Sequence, residues 1–345
     1  MLTHLERELR EQPQALARLL DAQRANAERI GALFARDDVK YVLIASRGSS
    51  SNAARYAQYL LGRAHRVPVM FATPSLYTIY EQPPRLDGAA VVGISQSGAS
   101  PDVASVLAEA RRQGRPTVAL TNEPDSPLAR EADAVLLLEA GPERAVAATK
   151  TYSNSLGAIA MIFAAVDGPE AESELERMPA VLAEQIALSL DSAPPLDEYA
   201  GLVGATVVGR GVNYGTAFEI ALKIRELSGL VVEAYSPADL MHGPIGAIQP
   251  GWPVVLVAPS GPARPSVEDV VLPLQGRGAR LLAVSDVGAV LRRAHTRLPL
   301  VPHVPEWLSP LTAVVPGQVT AMRLARLRGL DVDRPAGLNK VTLTR

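Results

Sequence analysis

The chain repeats itself. Displaced by about 163 residues, its landmarks recur in order. Arg47-Gly48 returns as Arg210-Gly211, Val91-Val92 as Val254-Val255, Ser97-Gly98 as Ser260-Gly261, Pro142-Glu143 as Pro305-Glu306 and Thr149 as Thr312. With one residue of slip, Gly114 and Thr117–Leu120 return as Gly278 and Leu281–Val284. A period this long is a whole domain, so one architecture occurs twice, over about residues 36–166 and 200–330.

The apolar runs say what that architecture is. Residues 41–46, 67–72, 88–95, 116–121 and 133–140 read as strands, with helical segments at 52–63 and 101–114 between them. Nearly continuous apolar strands separated by helices imply parallel pairing with both faces covered. Right-handed β-α-β crossovers follow. The expected class is α/β, two tandem doubly wound parallel sheets. Around them stand an N-terminal helical arm (1–35), a connecting helix and linker (167–199) and a C-terminal tail (331–345). Pro13 is expected to open the second of two short helices in the arm. A single connecting helix is expected over 169–190, with Ser192-Ala193-Pro194-Pro195 as linker.

Composition narrows the function. With 48% hydrophobic residues among 345, the chain can fill two cores. It contains no cysteine, which excludes a disulfide scaffold, a thiolate metal site and a thiol nucleophile, and fits a reducing, cytoplasmic setting. Lys and Arg number 34 against 36 Asp and Glu, so no basic field favours nucleic acid or an anionic membrane. The charged N-terminus lacks the apolar core of a signal peptide. The longest apolar run, 156–166, is too short to span a bilayer and reads as a buried helix.

The loops carry the chemistry. In open parallel sheets, ligands sit beyond the carboxyl ends of strands. Two such loops in the first half are rich in hydroxyls: Gly48-Ser49-Ser50-Ser51-Asn52 and Ser95-Gln96-Ser97-Gly98-Ala99-Ser100. Together they suit a phosphate or another polyoxygenated anion, although each alone is also ordinary turn chemistry. Their counterparts in the second half have lost most hydroxyls. Gly209-Arg210-Gly211 with Gly215 has the spacing GxGxxxG, which is not a dinucleotide fingerprint. On the helix at 216–229, Glu219, Lys223 and Glu226 share one face, as a surface ion-pair ladder or as a site. His242 lies in the loop just beyond, followed by Gly243-Pro244, in a position suited to acid–base work. His303 and Glu306 have metal-like spacing but no second histidine nearby, so no metal and no cofactor is read. Lys340 in the tail is either a solvated terminal lysine or a carbonyl-seeking amine.

Taken in order, VVGISQSGASPDV, AVAATK, EIALKIRELS, EAYSPADLMHGP and DVDRPAGLNKVT resemble the sugar isomerase (SIS) family. Within it they are most similar to the isomerase module of glucosamine-6-phosphate synthases and to standalone type II glucosamine-6-phosphate deaminases. The arm segment ELREQPQAL is similar as well, so the resemblance covers nearly the whole chain.

The resemblance implies two flavodoxin-like SIS domains acting on a hexosamine 6-phosphate or on fructose 6-phosphate. Ser49, Ser50, Ser95, Gln96, Ser97 and Ser100 then form the phosphate and sugar cradle, and Val146 offers backbone contacts to the sugar. Glu226 is the base that moves a proton between C1 and C2, with Lys223 and Glu219 as companions. His242 assists ring opening from the neighbouring subunit of a homodimer with a shared site, and Lys340 reaches the C2 carbonyl. Two departures stand out: Ala148 replaces a serine, and Arg47 replaces a small residue. The synthases' glutaminase domain uses a cysteine, which this sequence lacks. The expected reaction is therefore deamination of glucosamine 6-phosphate to fructose 6-phosphate and ammonia. A deglycase acting on an amino-acid adduct, and a non-catalytic sugar-phosphate sensor, are the alternatives.

Overall fold

A computed structural model describes residues 2–192 and 194–342; Met1 of the arm, Ala193 of the linker and 343–345 of the tail lie outside the described residues. The chain divides into two compact units. The N-terminal unit comprises Glu11–Glu143, Lys150–Pro179 and the described tail residues from Asn339 on. The C-terminal unit comprises the described residues up to Arg10, then Arg144–Thr149 and Ala180–Leu338.

The N-terminal unit takes α1 (His4–Ala22) from Glu11 on, then α2 (Arg24–Phe34), β1 (Tyr41–Ser46), α3 (Gly48–His65), β2 (Val69–Phe71) and α4 (Ser75–Thr78). It continues with β3 (Ala89–Ile94), α5 (Pro101–Arg112), β4 (Thr117–Thr121), α6 (Pro127–Arg130), β5 (Ala134–Leu137), α7 (Lys150–Asp167) and α8 (Pro169–Glu176). Its five strands are parallel in the order β2-β1-β3-β4-β5. Leu43 pairs with Val91 in register, and both belong to an apolar layer with Ala45, Ala119 and, from α5, Val103, Val106 and Leu107. Every residue of β3 is buried, as a central strand covered on both faces requires.

The C-terminal unit adds α9 (Met178–Asp191) from Ala180 on, then β6 (Gly204–Gly209), α10 (Tyr214–Ser228), β7 (Val231–Tyr235), α11 (Pro237–Met241), β8 (Pro253–Val257), α12 (Arg264–Glu268) and α13 (Val271–Gly276). It ends with β9 (Arg280–Ser285), α14 (Gly288–Arg292), β10 (Thr296–Pro299) and α15 (Ser309–Leu327). Its sheet order, β10-β9-β8-β6-β7, is the same topology read from the other edge. Tyr41 and Gly204 open equivalent strands 163 residues apart, as do Thr117 and Arg280. The sequence repeat is thus a duplicated doubly wound domain.

Three local expectations are corrected. The serine-rich stretch after β1 is no loop: α3 starts at Gly48, so Ser49, Ser50 and Ser51 lie in its first turn. Arg47 in extended backbone completes the turn within one residue. Pro13 does not open a helix but lies inside α1. It removes one ladder hydrogen bond, while the buried stripe of Leu5, Leu9, Leu16 and Leu19 continues across it. The connecting helix is two helices, because Pro179 has no N–H with which to continue α8 and instead sits in the first turn of α9. The last helix starts at Ser309 and carries Pro316 within it. No helix among the described residues is long and apolar enough to cross a membrane.

Candidate active site

In the N-terminal unit, β1 and β3 are neighbours, but the chain leaves them on opposite sides. Their carboxyl ends therefore flank a topological switch point, where no crossover covers the sheet edge. The first turn of α3 stands on one lip and the loop 95–100 on the other. Among the described residues, the Ser50 and Ser100 hydroxyls and the Gln96 side-chain amide have no protein partner, although all three are at least partly buried. Ser100 occupies the N-cap of α5 without spending its hydroxyl on the cap. Ser95 and Ser97 shape the loop instead: their hydroxyls accept the Gly98 and Ala99 amides at 3.2 and 3.3 Å. Gly98 is required here. Its φ is +58°, and a Cβ would fall 2.1 Å from Ser126 Oγ.

Arg47 Nε donates to Asp102 Oδ2 at 2.8 Å. The Asp102 side chain is fully buried in the first turn of α5, while the arginine is half exposed. The pair ties the starts of α3 and α5 together and balances the charge that Arg47 brings to the cradle. In the same unit, the Glu143 side chain is wholly buried. It accepts the Thr151 amide at 3.1 Å, the Thr151 hydroxyl at 2.7 Å and the Lys340 ammonium at 2.6 Å. Lys340 is thus held by a buried carboxylate rather than solvated.

The C-terminal unit carries the charged face of α10. Lys223 and Glu219 are completely buried, their side chains 1% and 0% exposed, and Lys223 Nζ lies 3.4 Å from Glu219 Oε1. The same ammonium lies 2.5 Å from Glu226 Oε2, an ion pair by distance but not an aligned hydrogen bond. Glu226 is 24% exposed and so is the member open to a ligand. A buried ladder of this kind differs from a solvated one. Here the ammonium is needed to offset buried carboxylate charge. Val146 is partly buried and donates its amide to the Asp333 carbonyl at 3.1 Å. Ala148 is partly buried too. His242 is exposed at the C-cap of α11, whose N-cap Ser236 accepts the Asp239 amide at 3.1 Å. Among the described residues, the His242 ring has no partner, and none of these contacts joins it to Glu226.

The second copy of the cradle is filled from within. Arg210 repeats the backbone of Arg47 almost to the degree, at φ −139° and ψ 157° against φ −139° and ψ 159°. Beyond β8, however, Asp286 Oδ1 accepts the Ser260 amide at 2.7 Å and Glu306 Oε1 accepts the Ala263 amide at 2.9 Å. A Cβ at Gly261 (φ +146°) would fall 2.6 Å from the Glu306 side chain. Carboxylates occupy the amides that an anion would otherwise seek. Among the described residues, no group of three His, Cys, Asp or Glu is placed to hold a metal ion.

Sequence reasoning missed Asp102, Glu143, Glu8 and Asp333. Glu143 left a trace as a landmark of the repeat, while Asp102, Glu8 and Asp333 lie inside segments that carry the family resemblance but were given no role. Its partners Thr151 and Lys340 lie 8 and 197 residues away, beyond the reach of any local pattern.

A family model described as the SIS domain matches residues 37–165 and 205–327. A glutamine–fructose-6-phosphate aminotransferase (isomerizing) of Zymomonas mobilis is 32% identical over 353 residues, covering 97% of this chain and 58% of that protein. The chain thus spans little more than half the length of this curated relative. The C-terminal domain of glucosamine-fructose-6-phosphate aminotransferase from Francisella tularensis has a TM-score of 0.85 at 26% identity, over 97% of this chain and 99% of that one. Glucosamine-6-phosphate deaminase from Thermotoga maritima has a TM-score of 0.78 at 22% identity, over 99% of this chain and 100% of that one, a likeness of fold.

Proposed function

The chain belongs to the SIS domain family, and on that premise we propose that it is a sugar-phosphate isomerase-deaminase that converts glucosamine 6-phosphate and water to fructose 6-phosphate and ammonia. The observation that carries this reading is the α10 face, where a partly exposed glutamate rests on a buried lysine. A general base needs this arrangement: a carboxylate fixed at one oxygen, with the other left for the substrate proton.

The remaining roles follow from chemistry. Ser49, Ser50, Ser95, Gln96, Ser97 and Ser100 hold the phosphate and sugar oxygens through neutral donors, and this remote binding orients the reacting carbons. His242, exposed and without a ring partner, serves proton transfers at the ring oxygen as the sugar opens, in the site of a second copy of the chain. Glu226 takes the proton from C2 of the open-chain aldehyde. The electron pair then moves to give an enolamine as O1 takes a proton from the substrate's ammonium, and the proton held by Glu226 returns at C1. The product is a C2 iminium beside a C1 hydroxymethyl group. Water adds at C2 and ammonia leaves, with the nitrogen protonated as the C–N bond breaks. Where Lys340 rather than water adds at C2, its ammonium first loses a proton to Glu143 at 2.6 Å; ammonia leaves, and water then hydrolyses the Lys340–C2 imine to release the ketose and the free amine. Lys223 and Glu219 keep Glu226 in place.

The test is ammonia and ketose release from glucosamine 6-phosphate by the purified protein. Stoichiometric release that disappears in Glu226→Gln supports the reading. No ammonia from the wild type, or full activity in the variant, refutes it.

A further inference from the structure

The segment Arg144–Val146 is held by its backbone amides, one after another. Glu8 is 4% exposed, and its carboxylate accepts the Arg144 amide and, at 3.1 Å, the Ala145 amide. The next amide, of Val146, donates to the carbonyl of Asp333. The Asp333 carboxylate is itself committed. It accepts the amides of His4 and Leu5 at 2.9 and 2.8 Å, at the N-terminus of α1. That end of a 19-residue helix favours negative charge. Thr3 Oγ1 accepts the Glu6 amide beside it at 3.2 Å. Arg326 adds an ion pair to Glu6 at 2.7 Å, from α15. Leu5, Ala145 and Ala147 bury their side chains in one apolar cluster. The opening turns of α1 therefore form a mould against which residues 144–147 set.

We infer that Glu8 is a positioning residue: with Asp333 it consumes the amides of Arg144, Ala145 and Val146, so that Val146 meets substrate through its carbonyl. The inference rests on the reading of Val146 as a sugar contact. It sharpens that reading. A carbonyl accepts but cannot donate, so the substrate group placed against Val146 is a donor, a hydroxyl or an ammonium. A carboxylate or phosphate oxygen there finds no N–H at any of the three positions. Two charge-assisted bonds from one buried carboxylate hold the carbonyl at a fixed place, as recognition of a single hydroxyl or amine needs.

The test uses the full chain, with hydrogen exchange at the individual amides and steady-state kinetics on glucosamine 6-phosphate. In Glu8→Gln, one neutral acceptor replaces two charged ones. The Arg144 and Ala145 amides are expected to exchange roughly tenfold faster or more. KM is expected to rise roughly tenfold with kcat little changed, because the contact serves ground and transition states alike. Glu8→Asp keeps the charge and is expected to restore part of both. Wild-type protection of both amides in Glu8→Gln overturns the inference, as does an unchanged KM once the amides open. If Glu8→Gln fails to fold, the same two readouts on Glu8→Asp decide: faster exchange with a raised KM supports the inference, and wild-type behaviour in either overturns it. The exchange readout needs no turnover. Loss of protection in a protein whose wild type releases no ammonia refutes the proposed reaction and leaves the clamp standing.

Discussion

Replacing Lys223 by methionine tests the α10 face directly. Methionine keeps the length and volume of the lysine stem and removes the charge. In the wild type, the ammonium and the Glu219 carboxylate are both sealed from solvent, so neither water nor salt screens their pairing. Breaking such a buried pair from one side costs about 3–5 kcal/mol, against about 0–1 kcal/mol for an exposed ladder of the same spacing. For a protein with units of this size, that is a fall in melting temperature of roughly 6–20 °C. The cost also has a pH signature. Without Lys223, burial favours the protonated acid at Glu219, so the folded variant binds a proton more readily than its unfolded chain. Its stability is then greatest at low pH and falls as pH rises. Adding Glu219→Gln removes the charge and most of the penalty, since both partners are then neutral. The assay is urea unfolding at pH 5 and pH 8 for the two variants and the wild type, with ammonia release measured in parallel. A Lys223→Met protein within about 1 kcal/mol of wild type at both pH values would show that the face is a solvated ladder, and the assignment of Glu226 would lose its support.

Other outcomes are as specific. Glu226→Gln is expected to lower ammonia release by about 10²–10⁴-fold with an unchanged melting temperature. Mixed Glu226→Gln and His242→Ala proteins are expected to regain activity through hybrid dimers with one intact site; mixtures as dead as their parents would place both residues in one chain's site. Gly98→Ala is expected to cost about 1–3 kcal/mol, from a strained φ and a collision with Ser126, and to weaken phosphate protection in a thermal-shift assay. Burial holds the His65 imidazole below its ordinary value of 6.5, with its Nε2 unpartnered. The stability this contributes is complete above pH 6.5 and is lost as pH falls below it. His65→Phe is therefore expected to flatten the urea midpoint between pH 7.5 and 5.5, and a wild-type slope in the variant would refute this.

What could be read from the sequence follows burial. Strands β1, β3 and β4 were legible to within a residue because they are covered on both faces and leave unbroken apolar runs. The edge strand β7 left no such run, since Val231 and Glu233 face water. The Ser49–Ser51 turn was misread because serine and glycine signal a loop, and only the fold shows that helix geometry begins there. On α10, spacing put three charges on one face. It gave no sign that two of them are sealed, because that depends on α15, which lies some ninety residues on in sequence and packs against α10 in space. The Arg144–Val146 clamp was invisible for a related reason. Backbone amides carry no sequence signal, and Glu8 lies 136 residues from the first amide it holds.

The carboxylates of Asp286 and Glu306 have a consequence for stoichiometry. A duplicated fold would ordinarily offer two equivalent switch-point sites, and a titration would count two anions per chain. Here the second copy brings its own anions, covalently attached and always present. Inorganic phosphate should therefore saturate at one equivalent per chain. Excess substrate phosphate should likewise find no vacant twin of the first cradle to occupy.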